Sequence, residues 1–200
     1  FMIKNSNKGI SKTVSCNENV YSRRLFLKGL VYSAAVASTG ISGIANATSG
    51  WLQEPRKLAF YNLHTDEKVA LTYFEDGQYV SGAVQEINFL LRDHRSGDVF
   101  NMDPQLFDLL HDLQNTLGGN KTIQVISGYR SPTTNAMLNK NSNGVAKKSL
   151  HMQGKAIDIR IEGVDSKIIQ RASIAMQQGG VGYYRQSNFV HIDTGRVRSW

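Results

Sequence analysis

Two histidines and an aspartate in the second half of this 200-residue sequence are suited to hold a divalent cation: His151, Asp158 seven residues on, and His191. Two imidazoles and one carboxylate are a normal ligand set for catalytic zinc, because three protein ligands leave a fourth position for water. Asp158 lies in Ala156-Ile157-Asp158-Ile159-Arg160, where strand alternation puts Ala156, Asp158 and Arg160 on one face and buries Ile157 and Ile159 on the other. A carboxylate on a central strand needs a partner. Only Met152-Gln153-Gly154-Lys155 and Ala156-Ile157 separate it from His151, enough slack for the chain to turn both side chains toward one ion. His191 sits in Phe189-Val190-His191-Ile192-Asp193, a second alternating run that aims His191 and Asp193 at the same side. Taken singly each residue is ordinary, since a lone histidine on a strand is more often a core or surface residue than a ligand. The chemistry lies in the combination.

These groups must be positioned by the elements around them. Short apolar runs at Arg56–Tyr61 and Val69–Tyr73, separated by the polar stretch 62–67, predict a β-hairpin, and Asp76-Gly77 marks the next turn. Val84, Ile87, Leu90 and Leu91 recur at helical spacing between Ala83 and His94. Asp103-Pro104 announces a second helix, carried by Leu106, Leu109, Leu110, Leu113 and Leu117 and stopped by Gly118-Gly119. Thr122–Ser127 reads as a buried strand, Ser131-Pro132 opens a short helix, and 139–149 lacks periodicity and reads as a mobile loop. Ala156–Ile161 is a strand; Asp165 caps a helix through Ile168, Ile169, Ala172, Ala175 and Met176 that ends at Gly179-Gly180. Val181–Tyr184 and Phe189–Asp193 close the chain as paired strands. Helices and strands are segregated, which favours a single α+β domain with a central antiparallel sheet and flanking helices over a doubly wound fold.

Charge is unevenly placed. Residues 1–47 carry six basic side chains against Glu18 alone and so supply +5 of the total +7, leaving the rest of the chain nearly balanced. A nucleic-acid partner is therefore not expected. The order of this segment is that of an export signal: a basic stretch ending in Ser22-Arg23-Arg24-Leu25-Phe26-Leu27-Lys28, weakly apolar residues to Ile44, then Ala45-Asn46-Ala47. The paired arginines resemble a twin-arginine signal, so the expected partner is the twin-arginine export machinery, with cleavage after Ala47 and a domain over 48–200. The apolar stretch is interrupted by glycines and falls short of the about 20 residues a membrane span needs, so no stable span is expected after cleavage. Localisation is expected in the periplasm or cell envelope. The single cysteine, Cys16, lies in this leader, so no disulfide forms within one molecule.

Three segments carry a family resemblance: Ser127-Gly128-Tyr129-Arg130-Ser131-Pro132, then Ser149-Leu150-His151-Met152-Gln153-Gly154-Lys155-Ala156-Ile157-Asp158-Ile159, then Phe189-Val190-His191-Ile192-Asp193. Their order resembles the successive motifs of the LAS-type zinc peptidases, a group that includes D-alanyl-D-alanine carboxypeptidases, murein endopeptidases and the hedgehog signalling domain. The exported YcbK-like subgroup is the most similar. The resemblance implies a hedgehog or D-Ala-D-Ala peptidase-like fold, one zinc ion on His151, Asp158 and His191, and hydrolysis of amide bonds in peptidoglycan peptides. It also places Arg130 near substrate, where a guanidinium would stabilise an oxyanion or grip a carboxylate. A structural ion pair with Asp158 or Asp193 is the other role open to Arg130. Ser127 and Gln153 would orient neighbours by hydrogen bonds.

One position departs from the family pattern. Several relatives carry an acidic base three residues before the last histidine ligand, where this chain has Asn188. Asp193 is the candidate substitute, with a competing role as the partner that fixes the His191 imidazole. The departure keeps open an alternative in which the metal-containing domain binds cell-wall peptide or an envelope protein without catalysis. His64, His94 and His111 read as solvated surface.

Overall fold

The computed structural model describes residues 54–141 and 144–200; the expected leader, 1–47, with Arg23, Arg24 and Cys16, lies outside the described residues. The hairpin forms as predicted, with β1 (Arg56–Asn62) antiparallel to β2 (Lys68–Glu75) and a short β3 (Gln78–Tyr79) beyond it. Asn62 closes the hairpin turn. Its Oδ1 accepts from the N–H groups of His64 and Thr65 at 2.9 and 3.3 Å, and its Nδ2 donates to the Leu90 carbonyl at 2.8 Å.

The first helix, α1 (Ser81–Leu90), stops short of His94. Asp93 is the physical reason. It is buried, and its Oδ1 accepts from the Arg95 N–H at 3.0 Å, an Asx turn that competes with continued helix. In α2 (Pro104–Thr116), Asp103 caps the Gln105 N–H at 3.1 Å and Pro104 occupies the first turn, where its missing donor costs nothing. Next come β4 (Ile123–Ser127), α3 (Pro132–Asn141), a 3-10 turn (Leu150–Gln153) and β5 (Ala156–Ile161). Asp165 caps α4 (Ser166–Met176) through Lys167 at 2.7 Å. That helix is terminated by Gln177 in the left-handed region, at φ 54°, and not by Gly179-Gly180. The glycine pair instead leads into β6 (Gly180–Tyr184), followed by β7 (Phe189–Asp193) and β8 (Arg198–Ser199).

The α+β class holds. Among the described residues all eight strands join one sheet in the order β3-β2-β1-β4-β5-β7-β6-β8. Antiparallel pairing dominates, while β1 with β4 and β6 with β8 run parallel. A parallel neighbour requires a long crossover, and the chain between β1 and β4 supplies it with α1 and α2.

Helix α2 packs on β1 and α4, and α4 packs on β5, β6 and β7. The inward residues of the sheet, Phe60, Ile123, Val125, Ile157, Ile159, Val190 and Ile192, meet Leu106, Phe107, Leu110 and Leu113 of α2 in one core. Each such fully buried side chain contributes about 1.5–3 kcal/mol. With one side of β5 and β7 committed to this core, strand alternation leaves their other side to carry Asp158, His191 and Asp193. Among the described residues no helix is long and apolar enough to cross a membrane.

Candidate metal centre

Asp158 and His191 are direct cross-strand partners, β5 to β7, and Gly182 of β6 continues the row. A register shift between Val125 and Ser127 places Ser127 opposite Asp158. Without that bulge Ser127 would share the core-facing side of Val125; with it the hydroxyl is turned to the open face. His151 reaches the same spot from the 3-10 turn. Ser149 caps that turn, and Gly154 ends it at φ 67°. The segment after β4 clamps His151 from two sides: its Nδ1 donates to the Gly128 carbonyl at 2.7 Å, and its own carbonyl accepts from the Arg130 N–H at 3.2 Å. The segment is fastened in turn by Tyr129 N–H to the Leu91 carbonyl at 2.8 Å and Ser131 N–H to Asp93 at 2.9 Å. Gly128 is required there, because a Cβ would stand 2.4 Å from the Leu91 oxygen.

The three expected ligands are therefore brought together. His151 Nε2, Asp158 Oδ1 and His191 Nδ1 form a triangle with edges of 3.2, 2.9 and 3.2 Å, and all three residues are buried. Tetrahedral zinc with ligand bonds of about 2.0–2.1 Å sets its ligand atoms about 3.3 Å apart, so the triangle fits such an ion. The Gly128 contact places the ring proton of His151 on Nδ1 and leaves Nε2 free, as ligation requires. Burial works against charge on Asp158, yet the two imidazoles hold its carboxyl well below the usual carboxylate range. Burial alone would lower His191, but Asp158 and Asp193 on its two sides lift it to about 9. A cation at the triangle's centre would replace that proton as the charge Asp158 faces.

Asp193 is fully buried and faces His191 Nε2 at 2.9 Å. Its oxygens also accept from Arg198 at 2.9 and 2.7 Å and from the N–H groups of Gly180 and Gly195 at 3.2 and 2.8 Å. Burial opposes its ionisation, but His191, Arg198 and the Gly195 N–H hold it well below the usual carboxylate range. Arg130 is buried beside the triangle, with Nη2 3.3 Å from Ser127 Oγ and 3.5 Å from Asp158 Oδ2, while its Nε is buried without a partner. Gln153 is not brought to the centre: it is exposed at the end of its turn. Asn188 is exposed in the β6–β7 turn at φ 50°, and its carbonyl accepts from Arg160 at 2.7 Å.

The triangle opens into a cleft of about 570 Å³ whose lining includes Arg130, Lys148, Leu150, Tyr184, Phe189 and Trp200. One wall is the stretch 144–148. It lacks regular structure, as expected, but α3 holds it: Asn135 Nδ2 donates to the Ala146 carbonyl at 3.0 Å, and Asn139 Nδ2 donates to the Val145 carbonyl. Trp200 also lines the cleft, its ring 5.3 Å from that of His191. A Cβ on Gly182 would stand 2.5 Å from this indole, so only glycine leaves it room. Arg198 and Trp200 are the residues that sequence reasoning missed. The available signal was the glycine at alternate positions of Gly180-Val181-Gly182, which marks a close approach on one face of a strand. His94 is likewise not plain surface: it is half-buried and stacks on His64 at 3.9 Å.

A His-Asp-His triangle on the open face of an α+β sheet, with a buried arginine beside it and a cleft above, belongs to the class of sites able to hold one metal ion. The match is narrower than the class. Residues 51–200 match the family model described as peptidoglycan L,D-endopeptidase MepK, and the chain belongs to that peptidase family. It is 43% identical over 176 residues to the peptidoglycan L,D-endopeptidase MepK of Escherichia coli strain K12, covering 88% of this chain and 94% of that one. The MepK of Shigella flexneri gives the same figures. The probable peptidoglycan L,D-endopeptidase MepK of Haemophilus influenzae is 42% identical over 164 residues, 80% of this chain and 88% of its own. The family resemblance carried by the three motifs is thereby established.

Proposed function

We propose that this protein is a zinc-dependent peptidase of the cell envelope that hydrolyses an amide bond in peptidoglycan peptides, of the L,D type named for its relatives. The observation that carries the reading is the triangle of His151 Nε2, Asp158 Oδ1 and His191 Nδ1, sized for zinc and open to a cleft. Family membership supports the substrate class. The basic leader with Arg23 and Arg24 supports export by the twin-arginine route to the periplasm or envelope, where that substrate lies.

Zinc, when bound, would supply a Lewis acid for the scissile carbonyl and for a water molecule. Holding and orienting fall to side chains. His151, Asp158 and His191 would hold the ion, and Gly128 fixes the ring of His151. Arg130 lines the cleft beside the triangle, so its guanidinium receives the charge that develops on the substrate carbonyl oxygen. Ser127 and Asp158 set its angle. Asp193 is enclosed on all sides by donors, and we assign it the orientation of His191 in preference to proton transfer.

The test is mass spectrometry of muropeptides after incubation with zinc-loaded protein. Products with new amine termini from L,D bonds are expected, and none from His151→Ala or Asp158→Ala protein. Unchanged masses with the zinc-loaded wild type would refute hydrolysis. One observation favours a second reading, in which the domain binds cell-wall peptide without cleaving it: Asp158 is the only carboxylate among the residues described as lining the cleft. In the same assay a binder retains muropeptides and releases no amines.

A further inference from the structure

The space beside Asp193 is reserved for one guanidinium. β8 runs parallel to β6 with Arg198 opposite Gly180. A Cβ at Gly180 would stand 2.1 Å from Arg198 Nη1 and 2.4 Å from Asp193 Oδ2, and one at Gly195 would stand 2.8 Å from Asp193 Oδ1. Within this glycine-lined cradle Arg198 meets Asp193 as a fork, Nη1 to Oδ1 at 2.9 Å and Nη2 to Oδ2 at 2.7 Å. The fork is steadied from behind by the Arg196 carbonyl, 3.0 Å from Nη1, and by the Trp200 ring, 4.9 Å from the guanidinium carbon.

Hydrogen-bond accounting then fixes the next residue. Arg198 and the N–H groups of Gly180 and Gly195 can only donate, so Asp193 accepts from all of them. The remaining contact, with His191 Nε2 at 2.9 Å, is therefore made by a ring N–H donating to the carboxylate. With that proton held on Nε2, it is Nδ1 that faces His151 Nε2 and Asp158 Oδ1.

We propose that Arg198 is a positioning residue of the metal centre: through Asp193 it fixes the tautomer and angle of His191, and thereby sets the affinity for zinc. The proposal rests on the reading of His191 as a ligand. Removing the guanidinium leaves a buried carboxylate free to rotate, and His191 then loses its fixed acceptor. Lysine restores a charge but not the fork.

The test compares full-chain wild type with Arg198→Met, Arg198→Lys and, as a control, Arg171→Met at an exposed position of α4. Zinc dissociation constants come from chelator competition, the ligand field from the visible spectrum of the cobalt-substituted protein, and fold integrity from thermal unfolding. Arg198→Met is expected to weaken zinc binding by about 10- to 100-fold. Arg198→Lys weakens it less, both shift the cobalt bands, and Arg171→Met matches the wild type. A merely structural role lowers the unfolding temperature and leaves zinc constant and cobalt spectrum unchanged; that result overturns the proposal. Should Arg198→Met fail to fold, Arg198→Lys decides by the same two readouts. A wild type that binds no zinc instead defeats the ligand reading beneath the proposal.

Discussion

Replacing Gly154 by alanine probes how the backbone holds His151. Gly154 closes the 3-10 turn at φ 67° and ψ 18°, and an added methyl would stand 2.6 Å from the Asn101 carbonyl oxygen and 3.1 Å from the Met102 Cα. The left-handed conformation costs a residue with a Cβ about 1–2 kcal/mol. Forcing a methyl into packed backbone costs about 1–3 kcal/mol. Side-chain rotation would relieve only the contact with Phe100 Cδ1 at 3.0 Å; the Asn101 oxygen and the Met102 Cα are main chain. Together the two costs amount to about 2–5 kcal/mol, which in a domain of this size lowers the melting temperature by about 4–20 °C. The strain is also transmitted. The Gly154 carbonyl accepts from the Asp103 N–H at 2.9 Å, and Lys155 N–H binds the Leu150 carbonyl at 3.0 Å, so a displaced Gly154 moves the turn that carries His151. Zinc affinity is expected to fall along with stability. Thermal melts with and without zinc, together with a chelator-competition titration, measure both. A Gly154→Ala protein that melts with the wild type and binds zinc equally well would refute the reasoning.

Three further outcomes are expected. Asp193→Asn should lower zinc affinity by about 10- to 100-fold together with turnover, the mark of an orienting group; turnover lost at full zinc affinity would instead reveal a base. Asp108 accepts from Arg56 at 2.7 Å and from the hydroxyls of Tyr73 and Tyr79 at 2.9 and 2.5 Å, with Tyr73 fully buried. Asp108→Ala should therefore cost about 2–3 kcal/mol in urea denaturation, and an unchanged midpoint would contradict this. Burial, then Arg95 and His64, push His94 from an ordinary 6.5 down to about 4, although Asp93 pulls the other way. Below pH 6.5 the unfolded chain takes up a proton that the folded chain refuses until about pH 4, so stability falls as pH drops through this window. After allowance for its solvent exposure the loss is about 1 kcal/mol. His94→Gln should flatten this step, and a step of wild-type size in that variant would exclude His94 as its source.

What the sequence made legible was whatever local periodicity encodes. Ile157/Asp158/Ile159 and Val190/His191/Ile192 alternate, so the division between core face and open face could be read residue by residue, and the capping signals at Asp103 and Asp165 mark true helix starts. Pairings set by distant contacts were not legible. The parallel β1–β4 neighbours are separated by two strands and two helices, and the bulge that turns Ser127 toward Asp158 depends on its partner strand. The end of α1 was misplaced because the carboxylate of Asp93 competes for backbone donors, which apolar spacing does not register. At the site, the three converging residues His151, Asp158 and His191 were readable from type and spacing. Arg198 was not, since an arginine near the end of a polar stretch looks like solvated surface until β8 lays it against Gly180. Gln153 was readable only by likeness to the family, and its exposed side chain stands apart from the centre.

His151, Asp158 and His191 are proposed to share one zinc ion. Inductively coupled plasma mass spectrometry of protein purified without chelator, alongside the three single alanine variants, tests it most directly. About one zinc per chain in the wild type and a near-complete loss in each variant is the expected result. Wild-type protein free of zinc, or variants that retain it in full, would contradict the account.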